Sequence, residues 1–335
     1  MKYRAWVAKE AKRPMVLETV EVGPLEPEEV EVAVEHCGVC HSDVSVLNNE
    51  WGISQYPAIL GHEIVGRVTA TGPKAKGISV GQHVGIGWNS GSCMHCRPCM
   101  SGNQNLCAQA QPTIIGHGGG FATQVRSHWA WVFPLPEGLD PAEAGPLFCG
   151  GVTVFSPLAS FARPIDRVGV IGIGGLGHMA VKFAAAWGCD VTAFTSSENK
   201  FEEAKRLGAN QVVSTKDSAA IGKLGGSLDL LISTVNVKLD WDRMIGALAP
   251  QGRLHVVGAV LEPIPVAAFS LIMKRISVSG SPTGSPTEIA SMLDFAARHN
   301  VLPQNEHYPM SSINEAFARL ESGKARYRIV LDADF

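Results

Sequence analysis

Alternating apolar and polar side chains mark an antiparallel strand in the first third of the chain. In the segment EVEVAVE, residues 29–35, valines and glutamates fall on opposite faces: Val30, Val32 and Val34 against Glu29, Glu31 and Glu35. This period of two predicts a half-exposed strand. Segments such as VGQHVGIG and scattered Gly and Pro residues continue to about residue 150. They predict a small β-barrel with long loops.

Strands and helices alternate from about residue 151 to residue 283. The buried strand RVGVIG is followed by a segment whose apolar residues recur at helical spacing: Leu176, Met179, Ala180, Phe183, Ala184 and Trp187. Such a stripe indicates a helix that packs on a sheet. The later segments DVTAFT, QVVST, LDLLISTV, RLHVVGAV and RISVSGS are predicted strands, with helices at NKFEEAKRLGA and DWDRMIGALAP. This order predicts a doubly wound parallel sheet.

A helix with a complete start signal follows the parallel sheet. In SPTEIASMLDFAARH, Ser285 is the predicted N-cap, Pro286 the first helical residue and Glu288 the second half of a capping box. A further helix at INEAFARLESG and a strand at YRIVL end the chain.

The composition excludes several classes of partner. The chain has 335 residues, 45% of them hydrophobic and 18% charged, and a net charge of -3. Because the charge has no strong sign, neither nucleic acid nor an anionic membrane is an expected partner. The charges scattered through MKYRAWVAKEAKRP are not the pattern of a signal peptide. The uncharged stretch 144–162 contains two prolines and three glycines, so we interpret it as buried protein and not as a membrane span.

Four of the eight cysteines lie in one short polar loop, SCMHCRPCMSGNQNLC: Cys93, Cys96, Cys99 and Cys107. A disulfide framework, a metal cage and a redox pair are the alternatives. The composition favours a cytoplasmic, reducing setting, where clustered cysteines bind metal more often than they pair. A redox role needs an exposed thiol of low pKa, and nothing in the loop indicates one.

The sequence VIGIGGLGH contains the fingerprint of a dinucleotide site, and its glycines are Gly172, Gly174 and Gly177. It follows a predicted strand and opens a predicted helix, which is the context that this fingerprint needs. The free N–H groups of the helix start suit a pyrophosphate. The residues between the glycines belong to the same predicted loop: Ile173, Gly175 and Leu176. A glycine-rich turn without a ligand is the alternative.

The tip of the next strand indicates which dinucleotide binds. A site for NAD usually has a carboxylate there, but this strand ends in AFTSSENK. Hydroxyls and a cation suit a 2′-phosphate: Thr195, Ser196, Ser197 and Lys200. Glu198 lies at the start of the next helix, where a negative charge favours the helix dipole. A solvated helix start with an incidental lysine is the alternative interpretation.

A second set of possible metal ligands is spread over separate segments. GVCHSD contains Cys40, His41 and Ser42, GHEIVG contains His62 and Glu63, and GPLFCGG contains Cys149. Two thiolates and one imidazole would form a zinc site whose fourth position is open to substrate. Each residue alone has an ordinary alternative, since a single buried cysteine usually serves as a small hydrophobic residue. We interpret Cys37 and Cys189 in that way.

Together, these motifs resemble those of the zinc-dependent medium-chain alcohol dehydrogenases, over the whole chain. Within that family the chain is most similar to the cinnamyl-alcohol-dehydrogenase group and to its bacterial broad-range NADPH-dependent aldehyde reductases. The resemblance rests on CGVCHSD, GHEIVGRV, the four-cysteine loop, GPLFCGG, GIGGLGH and FTSSENK. It implies a GroES-like antiparallel barrel for residues 1–150 and 284–335. It also implies a Rossmann NADP-binding domain for residues 151–283.

The resemblance also implies a role for each motif. Cys40, His62 and Cys149 bind a catalytic zinc ion, and Glu63 is an alternative ligand. The four-cysteine loop holds a structural zinc ion in a closed cage. The implied reaction is hydride transfer between NADP(H) and a zinc-bound aliphatic or aromatic aldehyde, which yields the primary alcohol.

Proton transfer and the remaining cofactor contacts follow from the same resemblance. Ser42 passes a proton to the alkoxide, and His41 lies near the cofactor phosphates. Many relatives have a histidine three residues after Ser42, but this chain has Ser45, so either Glu50 or water completes the relay. Three residues follow later sheet strands, at the edge where such folds bind cofactor: Thr234, Gly258 and Ser281.

The substrate pocket and the assembly are predicted less directly. Trp51, Trp88 and the loop with Ile114, Ile115 and Phe121 are the suggested apolar wall, with ordinary packing as the alternative. We expect a cytoplasmic homodimer, with a tetramer as the alternative. An NAD-dependent polyol or amino-alcohol dehydrogenase is the rival activity. A catalytically silent protein that binds zinc or cofactor is the rival of another class.

Overall fold

The structure is a computed structural model that describes residues 2–335. The chain forms two compact units. The first comprises residues up to Val152 together with Thr283–Phe335, and the second comprises Thr153–Pro282. The strands of the first 150 residues are β1 (Lys2–Ala8), β2 (Val16–Glu21), β3 (Glu29–Val39), β4 (Ala58–Ile59), β5 (Glu63–Thr71), β6 (His83–Ile86), β7 (Asn89–Gly91), β8 (Gln111–Pro112), β9 (Gln124–His128) and β10 (Phe133–Pro134).

The later strands are β11 (Arg167–Ile171), β12 (Asp190–Thr195), β13 (Gln211–Ser214), β14 (Leu228–Ser233), β15 (Leu248–Val256), β16 (Ser277–Gly280), β17 (Asn305–Pro309) and β18 (Arg328–Asp332). The helices are α1 (His41–Leu47), α2 (Arg97–Met100), α3 (Pro141–Ala144), α4 (Gly150–Phe161), α5 (Gly177–Trp187), α6 (Phe201–Arg206), α7 (Ser218–Lys223), α8 (Trp241–Gly246), α9 (Ala268–Lys274), α10 (Pro286–His299) and α11 (Ile313–Glu321). Single 3₁₀ turns lie at Gln104–Leu106, Trp129–Trp131, Gly145–Phe148, Glu198–Lys200 and Met310–Ser312.

The first unit is built on a mainly antiparallel sheet in the order β10-β6-β5-β3-β18-β17, with β9 also paired to β3. Strand β3 confirms the alternation in EVEVAVE, because Val30 and Val32 are fully buried in the core of this unit. The prediction that Glu31 faces solvent was wrong, since its side chain is only 3% exposed. Its carboxylate pairs with the Arg126 guanidinium at 2.9 Å, which compensates for the buried charge.

The second unit contains a six-stranded, wholly parallel sheet in the order β13-β12-β11-β14-β15-β16. Counted from β11, this is the strand order 3-2-1-4-5-6 of a doubly wound dinucleotide-binding fold. The order of the chain reverses between β11 and β14, and ligands bind at the carboxyl ends of the strands beside such a point. Helices α7 and α9, which the apolar pattern did not predict, are short, with six and seven residues.

Helix α10 begins as its sequence predicts. Ser285 accepts a hydrogen bond from the Glu288 backbone at 3.4 Å, and Glu288 accepts one from the Ser285 backbone at 2.7 Å. Pro286 is the first helical residue, so the predicted capping box is confirmed.

Membrane-spanning segments were sought among residues 2–335. No single helix there has the length and apolar composition of a span, although the bent pair Pro141–Phe148 and Gly150–Phe161 passes that test when taken together.

Candidate functional site

Four of the predicted metal ligands meet inside the first unit. The donor atoms of Cys40, His62, Glu63 and Cys149 all lie within 4.8 Å of one another, and all four residues are buried. The imidazole Nε2 of His62 is 3.3 Å from the Cys149 sulfur. The structure therefore brings together residues that are far apart in the sequence.

Helix ends and tight turns position these side chains in the ligand group. Cys40 is the extended N-cap of α1, and Asp43 completes a capping box by accepting a hydrogen bond from the Cys40 backbone at 2.9 Å. Gly61 has a φ of +91°, and a Cβ there would lie 2.7 Å from the Phe121 ring. Only glycine is compatible with this turn, which places His62 just before β5. Cys149 lies between a 3₁₀ turn and α4.

Asp43 orients His62, a role that the motif analysis missed. Its Oδ1 lies 3.0 Å from Nδ1 of His62 and also accepts from the Gly61 backbone at 2.9 Å. With Nδ1 protonated and held by the carboxylate, Nε2 presents its lone pair toward the thiols, which is the arrangement of a metal-ligating histidine. Burial lowers the pKa of His62, but the Asp43 carboxylate and the Cys40 side chain together outweigh this effect and raise that pKa. The capping position of Asp43, three residues after Cys40, was the available signal.

Glu63 occupies an unusual position for a carboxylate. It is fully buried, and one oxygen, Oε2, has no hydrogen-bond partner among the described residues. Its other oxygen pairs with the buried Arg328 guanidinium. Burial raises the pKa of Glu63 to about 7, although Arg328 acts in the opposite direction. Arg328 was also missed, since it lies 265 residues away in sequence and belongs to no motif.

The donor set fits a zinc ion. Two thiols, one imidazole nitrogen and one buried carboxylate oxygen without a partner are the ligand types that catalytic zinc prefers. Gly38 leaves space for the carboxylate, because a Cβ there would lie 2.1 Å from Glu63 Oε2. A hydrogen bond from Cys149 lowers the pKa of the Cys40 thiol, which favours the thiolate that a metal needs.

The four-cysteine loop forms a second, separate group. The measured Sγ–Sγ distances are 3.9 Å for Cys93–Cys99, 3.7 Å for Cys96–Cys107 and 3.5 Å for Cys93–Cys107. A tetrahedron with Zn–S bonds of about 2.3 Å has edges of about 3.8 Å, so these thiols match a closed zinc cage. All four are free thiols, so the disulfide alternative is wrong here. Backbone N–H groups of His95 and Cys96 lower the pKa of Cys93 to about 6.

The glycine fingerprint lies at the carboxyl end of β11, as predicted. Gly172 has a φ of +89°, and a Cβ on Gly177 would lie 1.7 Å from the Gly172 carbonyl oxygen. Gly174 differs, because a Cβ there would meet nothing within 4 Å. The turn therefore requires two of the glycines, and Gly174 leaves open space beside the start of α5. Ile173, Gly175 and Leu176 complete this loop.

Matches with known families cover both units. Residues 26–137 match the alcohol dehydrogenase GroES-like domain, and residues 175–298 match the zinc-binding dehydrogenase family. The aldehyde reductase AdhA of Synechocystis sp. is 53% identical over 329 residues, 98% of each chain. The chain belongs to the zinc-dependent alcohol dehydrogenase family.

Solved structures agree with this assignment. A cinnamyl alcohol dehydrogenase from Sorghum bicolor superposes with a TM-score of 0.95 at 36% identity, over 99% of this chain and 98% of that one. A cinnamyl alcohol dehydrogenase from Helicobacter pylori, solved with NADP(H), superposes with a TM-score of 0.90 at 28% identity, over 99% and 98%. The chain is therefore an oxidoreductase of the alcohol dehydrogenase class, with the predicted GroES-like and Rossmann folds.

At the end of β12 in this alcohol dehydrogenase, the side chains predicted to contact a 2′-phosphate differ in exposure. Ser196 is exposed, but Thr195 is 4% exposed and its hydroxyl accepts a hydrogen bond from the Ser197 backbone at 3.2 Å. Thr195 thus shapes the turn. The ammonium group of Lys200 donates to the Ile173 carbonyl at 2.7 Å, which brings the strand tip and the glycine loop together.

The three predicted residues after the later strands have different local roles. Thr234 donates to the Ile171 and Gly172 carbonyls at 2.9 and 3.0 Å, so its hydroxyl supports the fingerprint turn. A Cβ on Gly258 would lie 2.3 Å from the Val235 carbonyl oxygen, so this position admits only glycine. Ser281 is half-buried, and its hydroxyl lies 2.9 Å from His255 Nε2.

The remaining predicted positions lie on α1 and in the aromatic wall. His41 is exposed, Ser42 is half-buried, and the buried Ser45 donates to Glu50 at 2.7 Å. Trp88 packs edge-on against His62, with ring centroids 5.0 Å apart, and Trp51 packs against Trp88 at 6.1 Å. Three of the suggested wall residues are buried in the barrel core, which is the ordinary packing given as their alternative: Ile114, Ile115 and Phe121.

Proposed function

We propose that this enzyme is a zinc-dependent, NADPH-linked aldehyde reductase that converts an aliphatic or aromatic aldehyde to the primary alcohol. The buried ligand group in the first unit carries the proposal. Its carboxylate oxygen without a hydrogen-bond partner lies beside two thiols, and a bound cation would compensate for the burial of these polar atoms. When bound, zinc supplies Lewis-acid polarisation of the substrate carbonyl, and NADPH supplies the hydride.

Cys40, His62 and Cys149 are the proposed ligands of the catalytic zinc ion, and Glu63 is the proposed alternative ligand. Asp43 holds His62 in the tautomer that a ligand needs. Arg328 neutralises Glu63, which limits the cost of burying this carboxylate. Trp88 and Trp51 shield this group from water with aromatic surface and favour apolar substrates.

Ser42 is the proposed proton donor to the product alkoxide. It lies one residue after the exposed His41, near the start of α1, and its side chain is half-buried. The hydroxyl can donate a proton that the cofactor ribose replaces. One turn further along the helix, Ser45 contacts Glu50, whose exposed carboxylate completes a path to solvent.

Proposed cofactor contacts lie in the second unit. The glycine loop would hold the pyrophosphate at the start of α5. Ser196, Ser197 and Lys200 would contact a 2′-phosphate, and a carboxylate that would repel it is missing from the last position of β12, Thr195. Other proposed contacts of the cofactor are His41, Thr234, Gly258 and Ser281. The relative from Helicobacter pylori solved with NADP(H) supports this choice.

We propose residues 1–150 with 284–335 as the catalytic zinc domain and residues 151–283 as the NADP-binding domain. The four-cysteine loop would bind a structural zinc ion in the first domain. The eight free thiols suit a reducing cytoplasm. An exposed apolar surface on α9, formed by Phe269, Ile272 and Met273, supports a homodimer. Light scattering of the purified enzyme measures that assembly.

Steady-state kinetics test the function. Benzaldehyde and a series of linear aldehydes of rising chain length are reduced with NADPH and, separately, with NADH. We expect turnover with NADPH, and a preference over NADH of about ten- to a hundred-fold in kcat/KM for each charge-assisted contact to the 2′-phosphate. Equal efficiency with both cofactors would exclude the cofactor assignment. A protein that binds zinc and NADPH but reduces none of these aldehydes would contradict the proposed activity.

A further inference from the structure

A row of four polar side chains runs along the last two strands of the parallel sheet. The Arg253 guanidinium donates to the Ser279 hydroxyl oxygen at 3.0 Å. The same oxygen lies 3.0 Å from Nδ1 of His255, and Nε2 of His255 lies 2.9 Å from the Ser281 hydroxyl oxygen. His255 is only 2% exposed, so its hydrogen bonds are made inside the protein.

Strand register and packing hold the row in place. His255 is directly opposite Ser279 in the parallel pairing of β15 and β16. Arg253 and His255 are two residues apart on β15, so their side chains point to the same face. The Phe161 ring covers both, with the Arg253 guanidinium 4.1 Å from its centroid and the His255 ring 5.4 Å away. The row is therefore a rigid part of the sheet.

The Arg253 guanidinium can only donate hydrogen bonds, and this fixes which atom donates at each contact of the row. Because Arg253 can only donate to Ser279, the Ser279 hydroxyl keeps its own proton for His255 Nδ1. Nε2 then carries the imidazole proton and donates to Ser281. In the opposite tautomer both Arg253 and His255 would donate to the Ser279 oxygen, and the Ser279 proton would have to turn away from the row. In the arrangement with Nε2 protonated, the Ser281 hydroxyl proton is the one proton that has no acceptor within the row.

The His255 imidazole is neutral near pH 7. Burial and the nearby Arg253 lower the pKa of His255 to about 4. A neutral ring has one N–H and one lone pair, which is the combination that a directed row needs. The Ser281 hydroxyl oxygen accepts from His255, so the Ser281 proton is available to a ligand.

Ser281 lies where such a ligand would pass. It follows β16 directly, at the carboxyl end of the sheet, on the β14-β15-β16 side of the glycine loop. The proposed 2′-phosphate contacts are on the other side, at the tip of β12. Because a dinucleotide extends across the carboxyl ends from one half of the sheet to the other, the nicotinamide half belongs on the side of Ser281.

We propose that Arg253, Ser279 and His255 form a directed hydrogen-bond relay that sets the Ser281 hydroxyl as a donor to the carboxamide oxygen of the nicotinamide. This inference rests on the proposed NADPH function and adds to it three positioning residues and the cofactor atom that Ser281 contacts. Because the protons of the relay are already ordered, no free energy is needed to reorient them when the cofactor binds.

Fluorescence titration with NADPH tests the contact. Ser281→Ala removes the donated bond, and His255→Leu removes the N–H group that orients the Ser281 hydroxyl. We expect NADPH to bind about three- to ten-fold more weakly to either variant. His255→Gln keeps an N–H group near the Nε2 position and should retain most of the affinity. Ser277→Ala is the matched control, because Ser277 is on β16 two residues before Ser279 and is not part of the row.

Two truncated or altered ligands separate this role from a merely structural one. 2′-Phospho-ADP-ribose lacks the nicotinamide, so it should bind equally to the wild type and to Ser281→Ala. Thionicotinamide NADPH has a sulfur that accepts hydrogen bonds poorly, so the wild type should bind it more weakly than NADPH, and Ser281→Ala should lose that discrimination.

The outcomes are distinguishable. If the wild type fails to bind NADPH, the proposed function is wrong. If the wild type binds NADPH and both Ser281→Ala and His255→Leu bind it equally well, the relay is wrong while the function stands. Equal weakening of 2′-phospho-ADP-ribose would also overturn the relay. ¹⁵N NMR of the His255 ring gives an independent check, since a protonated Nδ1 would contradict the direction.

Discussion

The Asp43 carboxylate lies 3.0 Å from Nδ1 of His62, and neither side chain has any exposed surface. Asp43 also accepts hydrogen bonds from the backbone N–H groups of Cys40 and Gly61. One carboxylate therefore fixes both segments that supply the first proposed zinc ligands. A contact of this kind affects metal affinity as much as orientation, because it raises the basicity of the imidazole.

Asp43→Asn should weaken the proposed catalytic zinc site. The amide replaces an acceptor by a donor, so at least one of the three hydrogen bonds is lost. We expect about a 10- to 100-fold loss of zinc affinity at this site and a parallel loss of turnover. Zinc analysis after dialysis against a chelator measures it, with the exposed Asp294→Asn as control. Unchanged zinc retention in Asp43→Asn would contradict the assignment.

Two zinc ions per chain are expected from the two ligand groups. Cys99→Ser should mainly lower stability, since structural zinc contributes directly to the free energy of folding. Cys149→Ser should mainly abolish turnover. Elemental analysis, thermal unfolding and activity distinguish the two. A metal content near one per chain in the wild type would remove one site, and reversed effects would show that the two roles are exchanged.

Ser42→Ala should lower kcat by about 10²- to 10⁴-fold while NADPH affinity stays nearly constant. The reason is that the variant keeps the helix but loses the hydroxyl proton. Ser45→Ala is the comparison variant one turn along α1, and we expect it to change kcat much less, because water can replace its hydroxyl beside Glu50 on the outer part of the proton path. Stopped-flow measurement of the hydride step avoids masking by product release. Full activity of Ser42→Ala in that assay would exclude the proton role.

The cofactor preference should depend on Ser196 and Lys200. Ser196→Asp adds a negative charge at an exposed position beside the proposed 2′-phosphate site, so it should reverse much of the preference for NADPH. Lys200→Ala removes a cation that reaches the Ile173 carbonyl, so it should reduce the preference. Ratios of kcat/KM for NADPH and NADH give the result. A Lys200→Ala enzyme that discriminates as well as the wild type would show that Lys200 only supports the loop.

Arg328→Met should destabilise the first unit strongly. Arg328 is 5% exposed and its partner Glu63 is fully buried, so the substitution leaves a buried carboxyl group without its ion-pair partner and without the cation that lowers its pKa. Breaking such a pair costs about 3–5 kcal/mol. Denaturant unfolding measures the loss, and adding Glu63→Gln should restore part of it by removing the buried charge. Equal stability of Arg328→Met and the wild type would mean that Glu63 is protonated or bound elsewhere.

Much of the architecture was predictable because it depends on near neighbours in the chain. The alternating valines of β3, the capping box at Ser285 and the glycine spacing at Gly172 each specify local backbone geometry. Hydrogen bonds and steric limits over a few residues decide these features. The close spacing of the four cysteines likewise kept their sulfurs within reach of one another, and the structure bears out their convergence.

Contacts between distant segments were decided by the tertiary structure alone. Nothing in the sequence shows that Cys149 approaches His62, that Arg328 neutralises Glu63, or that Arg126 makes Glu31 a buried residue. The same holds for the burial of Ile114 and Phe121 in the barrel core. The relay from Arg253 to Ser281 depends on the parallel register of β15 and β16. Strand pairing sets these partners, and pairing depends on how whole faces bury together, a property that no short motif contains.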